Sequence, residues 1–227
     1  MLEHCLAMKS THDAMLLRER IIDCFELASL PLYPELRKRE ILHFIIIGGR
    51  PTGVELAAEI CELVHEHLLK LYPHLEGMVK VSVHDVADRM LGQFRKKLSK
   101  YAMERFRKRG VGVCLGRKIL GFERGAMRVK GINGEGEEEV SFGVAVWCAG
   151  NKARELVENL GVRKAEEGME RVLTDECLRV LKPKGEGNGE VVVEEVYALG
   201  DAVDIDGMGL PPTAEVALQK AEWLANH

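Results

Sequence analysis

The chain has 227 residues, enough for one large or two small domains with a real core. Apolar residues make up 46%, charged residues 30% and aromatics 5%, which excludes a disordered chain. A formal net charge of −4 excludes a strongly basic nucleic-acid binder, and no apolar run reaches the ~18–20 residues that span a bilayer.

The first predicted element is a helix over residues 10–28. Ala14, Leu17, Ile21, Ile22, Phe25 and Ala28 recur at helical spacing, with Ser10 or Thr11 as the cap and Asp13 in the first turn. Pro31 and Pro34 break it, and Arg37 to Glu40 reads as a polar linker. The β-branched run Ile41–Ile47 reads as a buried parallel strand. A helix from Thr52 to about Tyr72 follows, ended by Pro73, then a strand at Val79–Val83. Residues 92–109 form a basic amphipathic helix stopped by Gly110. Its clusters Arg95-Lys-Lys97 and Arg105-Phe-Arg-Lys-Arg109 read as solvated helix faces rather than a binding patch. A short strand is predicted at Val111–Leu115.

Residues 117–142 hold short alternating runs with glycine at 121, 125, 131, 134 and 136, the pattern of a small antiparallel meander. Val144–Cys148 returns to a buried strand, and residues 152–160 look helical. Lys182–Glu190 is a flexible loop by composition. Val191–Leu199 is another strand, and Pro211 or Pro212 opens a last helix through Trp223. The six cysteines are scattered with no C-x-x-C, which predicts reduced, intracellular thiols and no metal site.

Two features carry chemistry. The first is Phe44-Ile-Ile-Ile-Gly-Gly-Arg-Pro-Thr-Gly-Val-Glu-Leu-Ala-Ala-Glu59, an apolar strand, a glycine-rich turn and a helix start. In a dinucleotide-binding G-x-G-x-x-G turn the first glycine makes the turn. The second lets backbone approach the pyrophosphate, and the third lets helix and strand pack closely. Gly48 and Gly53 fill the outer roles, with Gly49 between them; Arg50 replaces the middle glycine. Arg50 either obstructs the pyrophosphate or turns outward and pairs with a phosphate. Asp85, after the second strand, is placed to accept from ribose hydroxyls, which favours NADH over NADPH; an ordinary strand-end aspartate is the alternative. The second feature is Val196-Tyr-Ala-Leu-Gly-Asp201, a hydrophobic strand ending where a carboxylate accepts from a ligand hydroxyl.

These segments together resemble the type II (alternative, non-proton-pumping) NADH:quinone oxidoreductases, within the pyridine nucleotide-disulfide reductase-like flavoproteins. Matching stretches are Glu3-His-Cys5, Ile22-Asp-Cys-Phe-Glu26, Gly48–Glu59 and Val146-Trp-Cys-Ala-Gly-Asn151. Leu173-Thr-Asp-Glu176, Tyr197-Ala-Leu-Gly-Asp201 and Leu210-Pro-Pro-Thr-Ala-Glu-Val-Ala-Leu-Gln219 complete the set. The resemblance implies an α/β fold: a Rossmann-like NAD-binding domain with a parallel sheet and a small antiparallel meander, plus remnants of the FAD-binding domain. It divides the chain into a linker helix from the flavin side over 1–40, the NADH domain over 41–150, and the C-terminal part of the FAD domain over 151–227.

The resemblance further implies that Gly48, Gly49, Arg50, Gly53 and Asp85 bind NADH, with Ala149 and Gly150 lining the nicotinamide. Gly200 and Asp201 would hold FAD, and Ala214 would lie beside the flavin. Glu55 and Gln219 would be catalytic, at the flavin–nicotinamide contact and beside the quinone; a first-turn Glu complementing the helix dipole is the alternative for Glu55. Glu215 replaces the first Gln of the family's A-Q-x-A-x-Q stretch.

No counterpart of the family's FAD fingerprint precedes Ile41, and its C-terminal amphipathic membrane helices have none here, so the FAD site is expected to be incomplete. The expected activity is hydride transfer from NADH to FAD and on to a quinone, with peripheral attachment to the mitochondrial inner membrane and a possible homodimer. The alternative is an inactive remnant, or an NADH-binding module without flavin. Strands that would pair with a flavin lobe are expected as exposed edges.

Overall fold

The computed structural model describes residues 5–132, 136–150, 153–183 and 191–227. The chain divides into two compact units, one through Gly150 and one from Asn151.

The first unit is built on a five-stranded parallel sheet. Its strands are β1 (Leu6–Ala7), β2 (His43–Ile47), β3 (Lys80–His84), β4 (Gly112–Cys114) and β8 (Val144–Trp147), in the order β1-β8-β2-β3-β4. β2 lies at the centre and all five of its residues are buried, as its continuous β-branched run requires.

One face is covered by helices α1 (Thr11–Ser29), α3 (Pro51–Glu62) and α5 (Lys96–Lys108). Phe25 of α1 packs on Phe44 of β2 with ring centroids 6.3 Å apart. α1 is therefore part of this core, beside Leu56, Ile60 and Val83. Ser10 caps it, accepting from the Asp13 N–H at 3.2 Å. The other face carries the predicted meander: β5 (Arg117–Glu123), β6 (Ala126–Gly131) and β7 (Glu137–Ser141), all antiparallel. Its Met127 and Val129 pack on Ile45, Ile47 and Ala145 of the sheet.

Several boundaries differ from the sequence reading. The supposed linker Arg37–Glu40 lies inside a helix, α2 (Glu35–Ile41), laced by the Arg39–Glu35 and Arg37–Glu40 ion pairs at 2.7 Å. Ile41 thus closes a helix and does not open the strand. α3 runs on from Glu62 through a π-turn (Leu63–Leu68) to one α-turn, α4 (Leu69–Leu71), so the long predicted helix is interrupted. α5 begins at Lys96, because residues 91–93 form a turn with Leu91 at φ +52°. Two-residue β1 was not foreseen.

The second unit holds a four-stranded sheet in the order β11-β10-β9-β12. β9 (Val172–Thr174) and β12 (Val203–Ile205) are parallel; β10 (Arg179–Leu181) and β11 (Val192–Tyr197) add on antiparallel. Val157, Val172, Val180 and Val203 form its small core. β11 is an edge strand with Val196 and Tyr197 exposed. Helix α6 is short, Glu155–Asn159. The last helix, α7 (Ala214–Ala225), starts after both prolines; Thr213 caps it, accepting from the Val216 N–H at 3.4 Å. Glu3, His4, Asn151 and most of the loop read at Lys182–Glu190 lie outside the described residues.

Candidate functional site

The site begins where β2 hands over to α3, at the C-terminal edge of the parallel sheet, where open α/β sheets bind ligands. Gly48 has φ +116°, a conformation that strains any other residue. Its N–H donates to the carbonyl of His84 at 2.8 Å, which ties the turn to β3. A Cβ at Gly48 would lie 3.0 Å from the Ala149 nitrogen, so the β2 and β8 loops meet here. A Cβ at Gly53 would lie 1.9 Å from the Gly48 carbonyl oxygen, an overlap that only glycine avoids. The outer glycines therefore have the two roles their spacing predicts.

Asp85 fastens the same edge. Its Oδ2 accepts from the Gly49 N–H at 2.5 Å and its Oδ1 from the Ala87 N–H at 2.9 Å. A carboxylate has about four acceptor positions, so lone pairs remain on both oxygens. The Gly49 carbonyl accepts from the Leu91 N–H at 2.7 Å, which holds the following loop against the turn.

Arg50 is the N-cap of α3 with φ −81°, open to any L residue, and its side chain is exposed. The chain itself needs no glycine there; only a ligand approaching the backbone would. No side chain caps the first turn of α3, and it holds no acidic residue. Among the described residues, no side-chain carboxylate or hydroxyl therefore caps the N-terminal dipole and amides of this helix.

Ala149 and Gly150 follow β8 beside this turn. The Trp147 indole N–H donates to the Ala149 carbonyl at 2.6 Å, and the Lys9 ammonium to the Gly150 carbonyl at 2.9 Å. Glu55 is exposed in the second turn of α3, one turn past the position that best complements a helix dipole. It lines a cleft of about 510 Å³ between α1 and α3, with Arg18, Thr52 and Glu59.

In the second unit, half-buried Gly200 (φ +98°) and exposed Asp201 form a turn after β11. A Cβ at Gly200 would meet nothing within 4 Å, so no cradle is closed around it. Ala214 and Gln219 are exposed on α7, where the Gln219 amide donates to Glu215 Oε1 at 2.8 Å.

Two buried polar groupings escaped the sequence reading. Under the meander, His43 Nδ1 meets the Ser141 carbonyl at 2.8 Å and its Nε2 meets Ser82 Oγ at 2.8 Å. Ser82 Oγ lies 3.1 Å from His84 Nε2, and His84 Nδ1 is buried without a partner. A carbonyl only accepts, so His43 carries its proton on Nδ1, Ser82 donates to His43, and His84 donates to Ser82. Burial holds both imidazoles at a pKa of about 4. In the second unit Asp204 is buried, paired with Arg171 at 2.8 Å and accepting from the Ile205 and Leu210 N–H groups. Burial lowers the nearby Lys220 ammonium below its usual value, against the pull of Asp204. No motif spacing marks either grouping.

Burial raises the Cys5 thiol to about 12 and those of Cys24 and Cys148 to about 11, so none is poised as a thiolate nucleophile. Among the described residues no cluster of metal-ligating side chains occurs, and no helix is long and apolar enough to cross a membrane.

A parallel sheet with a glycine-lined strand-to-helix turn at its centre is the architecture of the dinucleotide-binding class of α/β proteins. The sequence profile of the pyridine nucleotide-disulphide oxidoreductases matches residues 15–221, and the chain belongs to that family. It is 36% identical over 205 residues to an external alternative NAD(P)H-ubiquinone oxidoreductase B1, mitochondrial, of Solanum tuberosum, covering 90% of this chain and 34% of that protein. It is 32% identical over 229 residues to the external alternative NADH-ubiquinone oxidoreductase, mitochondrial, of Yarrowia lipolytica, covering 99% and 37%. The chain thus spans about a third of the length of the curated relatives it matches. Among solved structures, NDH2 from Plasmodium falciparum in complex with NADH aligns with a TM-score of 0.74 at 21% identity, over 89% of this chain and 40% of that one. That likeness shows the same fold.

Proposed function

We propose that this chain is the NADH-binding segment of a type II NADH:quinone oxidoreductase-like flavoprotein. The observation that carries the reading is the turn itself: Gly48 and Gly53 in contact, Asp85 beside Gly49, and an α3 N-terminus that no side chain caps. These residues fit a pyrophosphate held at the helix N-terminus and a ribose held by the free lone pairs of Asp85. NADH supplies a hydride. Ala149 and Gly150, close to Gly48, would line its nicotinamide, and Glu55 would stand near its reacting end.

The FAD side fits less well. Asp201 and the α7 N-terminus are present, with Ala214 and Gln219, but Gly200 borders open space and no second glycine-lined cradle occurs among the described residues. This favours a nucleotide-binding module over a self-sufficient hydride-transfer enzyme. Quinone reduction, peripheral attachment to the mitochondrial inner membrane and a homodimer belong to the reading of the complete flavoprotein.

The test is calorimetric titration of NADH and NADPH into the chain and into Arg50→Gly. NADH is expected to bind more tightly than NADPH, and Arg50→Gly to bind NADH at least about tenfold more tightly, because the backbone approach is widened. Absence of heat with NADH for both proteins would refute nucleotide binding; equal affinities would refute obstruction by Arg50.

A further inference from the structure

The loop after β8 is held by two side chains, one of them from the far end of the sequence. The ladder between β8 and β2 closes where the Cys148 N–H donates to the Ile47 carbonyl at 2.8 Å. Beyond it the chain has little packing of its own. Ala149 is half-buried, and Gly150 is exposed with φ +70°, where an added Cβ would meet nothing within 4 Å. Glycine is the residue least able to hold a conformation by itself, so the loop's direction depends on what holds its carbonyls.

Both carbonyls are held. The Trp147 indole N–H donates to the Ala149 carbonyl at 2.6 Å, and the Lys9 ammonium donates to the Gly150 carbonyl at 2.9 Å. A peptide group is planar and trans, so Trp147 also fixes the Gly150 N–H on the opposite side of the same plane. The Lys9 bond joins residues 141 apart. Lys9 stands on a firm base: its backbone N–H donates to Asp13 Oδ2 at 2.9 Å, and the Ser10 hydroxyl donates to the same oxygen at 2.8 Å. Ser10 and Asp13 open α1, which Phe25 fastens to the sheet through Phe44. The ammonium thus carries the rigidity of α1 to a loop that has none. Ordering a lysine side chain costs rotamer entropy, which a lysine serving only to solvate the surface would not give up.

We propose that Lys9 positions the nicotinamide end of a bound dinucleotide, by fixing the Gly150 carbonyl and with it the loop against which that ring would lie. Lys9 is a positioning residue, acting through Gly150 rather than on a reacting atom. The proposal rests on the NADH reading of the Gly48 turn, which the Ala149 nitrogen borders. A nicotinamide carries a carboxamide, with an acceptor oxygen and two N–H donors, and a loop of fixed backbone groups is the natural match for it. The pyrophosphate and the adenosine ribose would be held elsewhere, by the α3 N-terminus and Asp85. Loss of Lys9 should therefore be felt by ligands that carry the nicotinamide and not by those that lack it.

The test is calorimetric titration of NADH and of ADP-ribose, which lacks the nicotinamide, into the 227-residue chain and into Lys9→Met. The parent is expected to bind NADH more tightly than ADP-ribose. Lys9→Met is expected to weaken NADH by about threefold or more and to leave ADP-ribose within about 1.5-fold. Retained ADP-ribose binding shows at the same time that the variant is folded. Equal losses for the two ligands would make Lys9 a general support of the fold and overturn the proposal, as would no loss for either. A parent that binds both ligands equally would overturn it while leaving the Gly48 turn as a nucleotide site. A parent that binds neither would refute the nucleotide reading itself, and this proposal with it.

Discussion

Asp85 holds Gly49: its Oδ2 accepts from the Gly49 N–H at 2.5 Å, across 36 residues of sequence. A second oxygen accepts from Ala87. One carboxylate thus joins the β2 turn, the end of β3 and the loop beyond it. The same group that would recognise a ribose also shapes the turn that would hold the phosphates.

Asp85→Asn separates these contributions. The amide oxygen can still accept from Gly49, but the amide nitrogen would face the Ala87 N–H, donor against donor. A loss of about 1–3 kcal/mol is expected in urea unfolding, with weaker NADH binding. An unchanged urea midpoint would show that the loop, not the carboxylate, sets the geometry.

Gly53 and Arg50 should behave as opposites. Gly53→Ala drives a Cβ to 1.9 Å from the Gly48 carbonyl oxygen, so strand and helix must part. The cost is expected at the upper end of the ~1–3 kcal/mol of overpacking. Arg50→Ala, at φ −81° with an exposed side chain, is expected within about 0.5 kcal/mol of the parent. Thermal unfolding of the two variants side by side checks the contrast. Similar losses in both would mean that the turn, as a unit, tolerates no substitution.

The contrast also shows what the sequence could and could not reveal. The turn geometry at Gly48 and the helix–strand contact at Gly53 were legible because each demands glycine at a fixed place; the bond from Gly49 to Asp85 was not, because it joins residues 36 apart in sequence. The buried strand β2 and the meander were legible from their periods. α2 was missed because Pro31 and Pro34 mark a break, and the ion pairs that stabilise the next seven residues are a weak local signal. β9, β10 and β12 have three residues each, too short for any period to show. His43, Ser82 and His84 meet only because β2 and β3 pair in register, Ile45 opposite Ser82 and Ile47 opposite His84, a tertiary fact.

That buried pair of histidines predicts an acid limit. Their folded pKa values are about 4, against 6.5 in the open chain, so the unfolded state takes up protons first as pH falls. Stability is therefore full above pH 6.5 and declines as pH drops toward 4. The loss approaches about 3 kcal/mol for the first imidazole charged. His84→Leu removes one titrating ring, and its unpartnered Nδ1 with it. Urea midpoints from pH 7 to 4 are expected to fall less steeply in that variant; an identical slope would place the acid sensitivity elsewhere.

Arg171 and Asp204 test the second unit. Asp204 is buried and Arg171 nearly so, their 2.8 Å pair closed by hydrogen bonds from Arg171 to the Leu210 carbonyl and from the Ile205 and Leu210 N–H groups to Asp204. Arg171→Met leaves the carboxylate without its paired guanidinium, with the nearby Lys220 ammonium as the remaining cation. Orphaning a buried charge costs ~3–5 kcal/mol, reduced here to roughly 2–3 because two backbone donors remain. Adding Asp204→Asn to Arg171→Met removes the orphaned charge but keeps an acceptor for Ile205 and Leu210, so most of the loss should return. Hydrogen exchange at the Ile205 and Leu210 amides reports this unit directly. Additive losses in the double variant would mean that the pair is an incidental contact, and that the backbone ladder and the valine core hold β9 and β12 together without it.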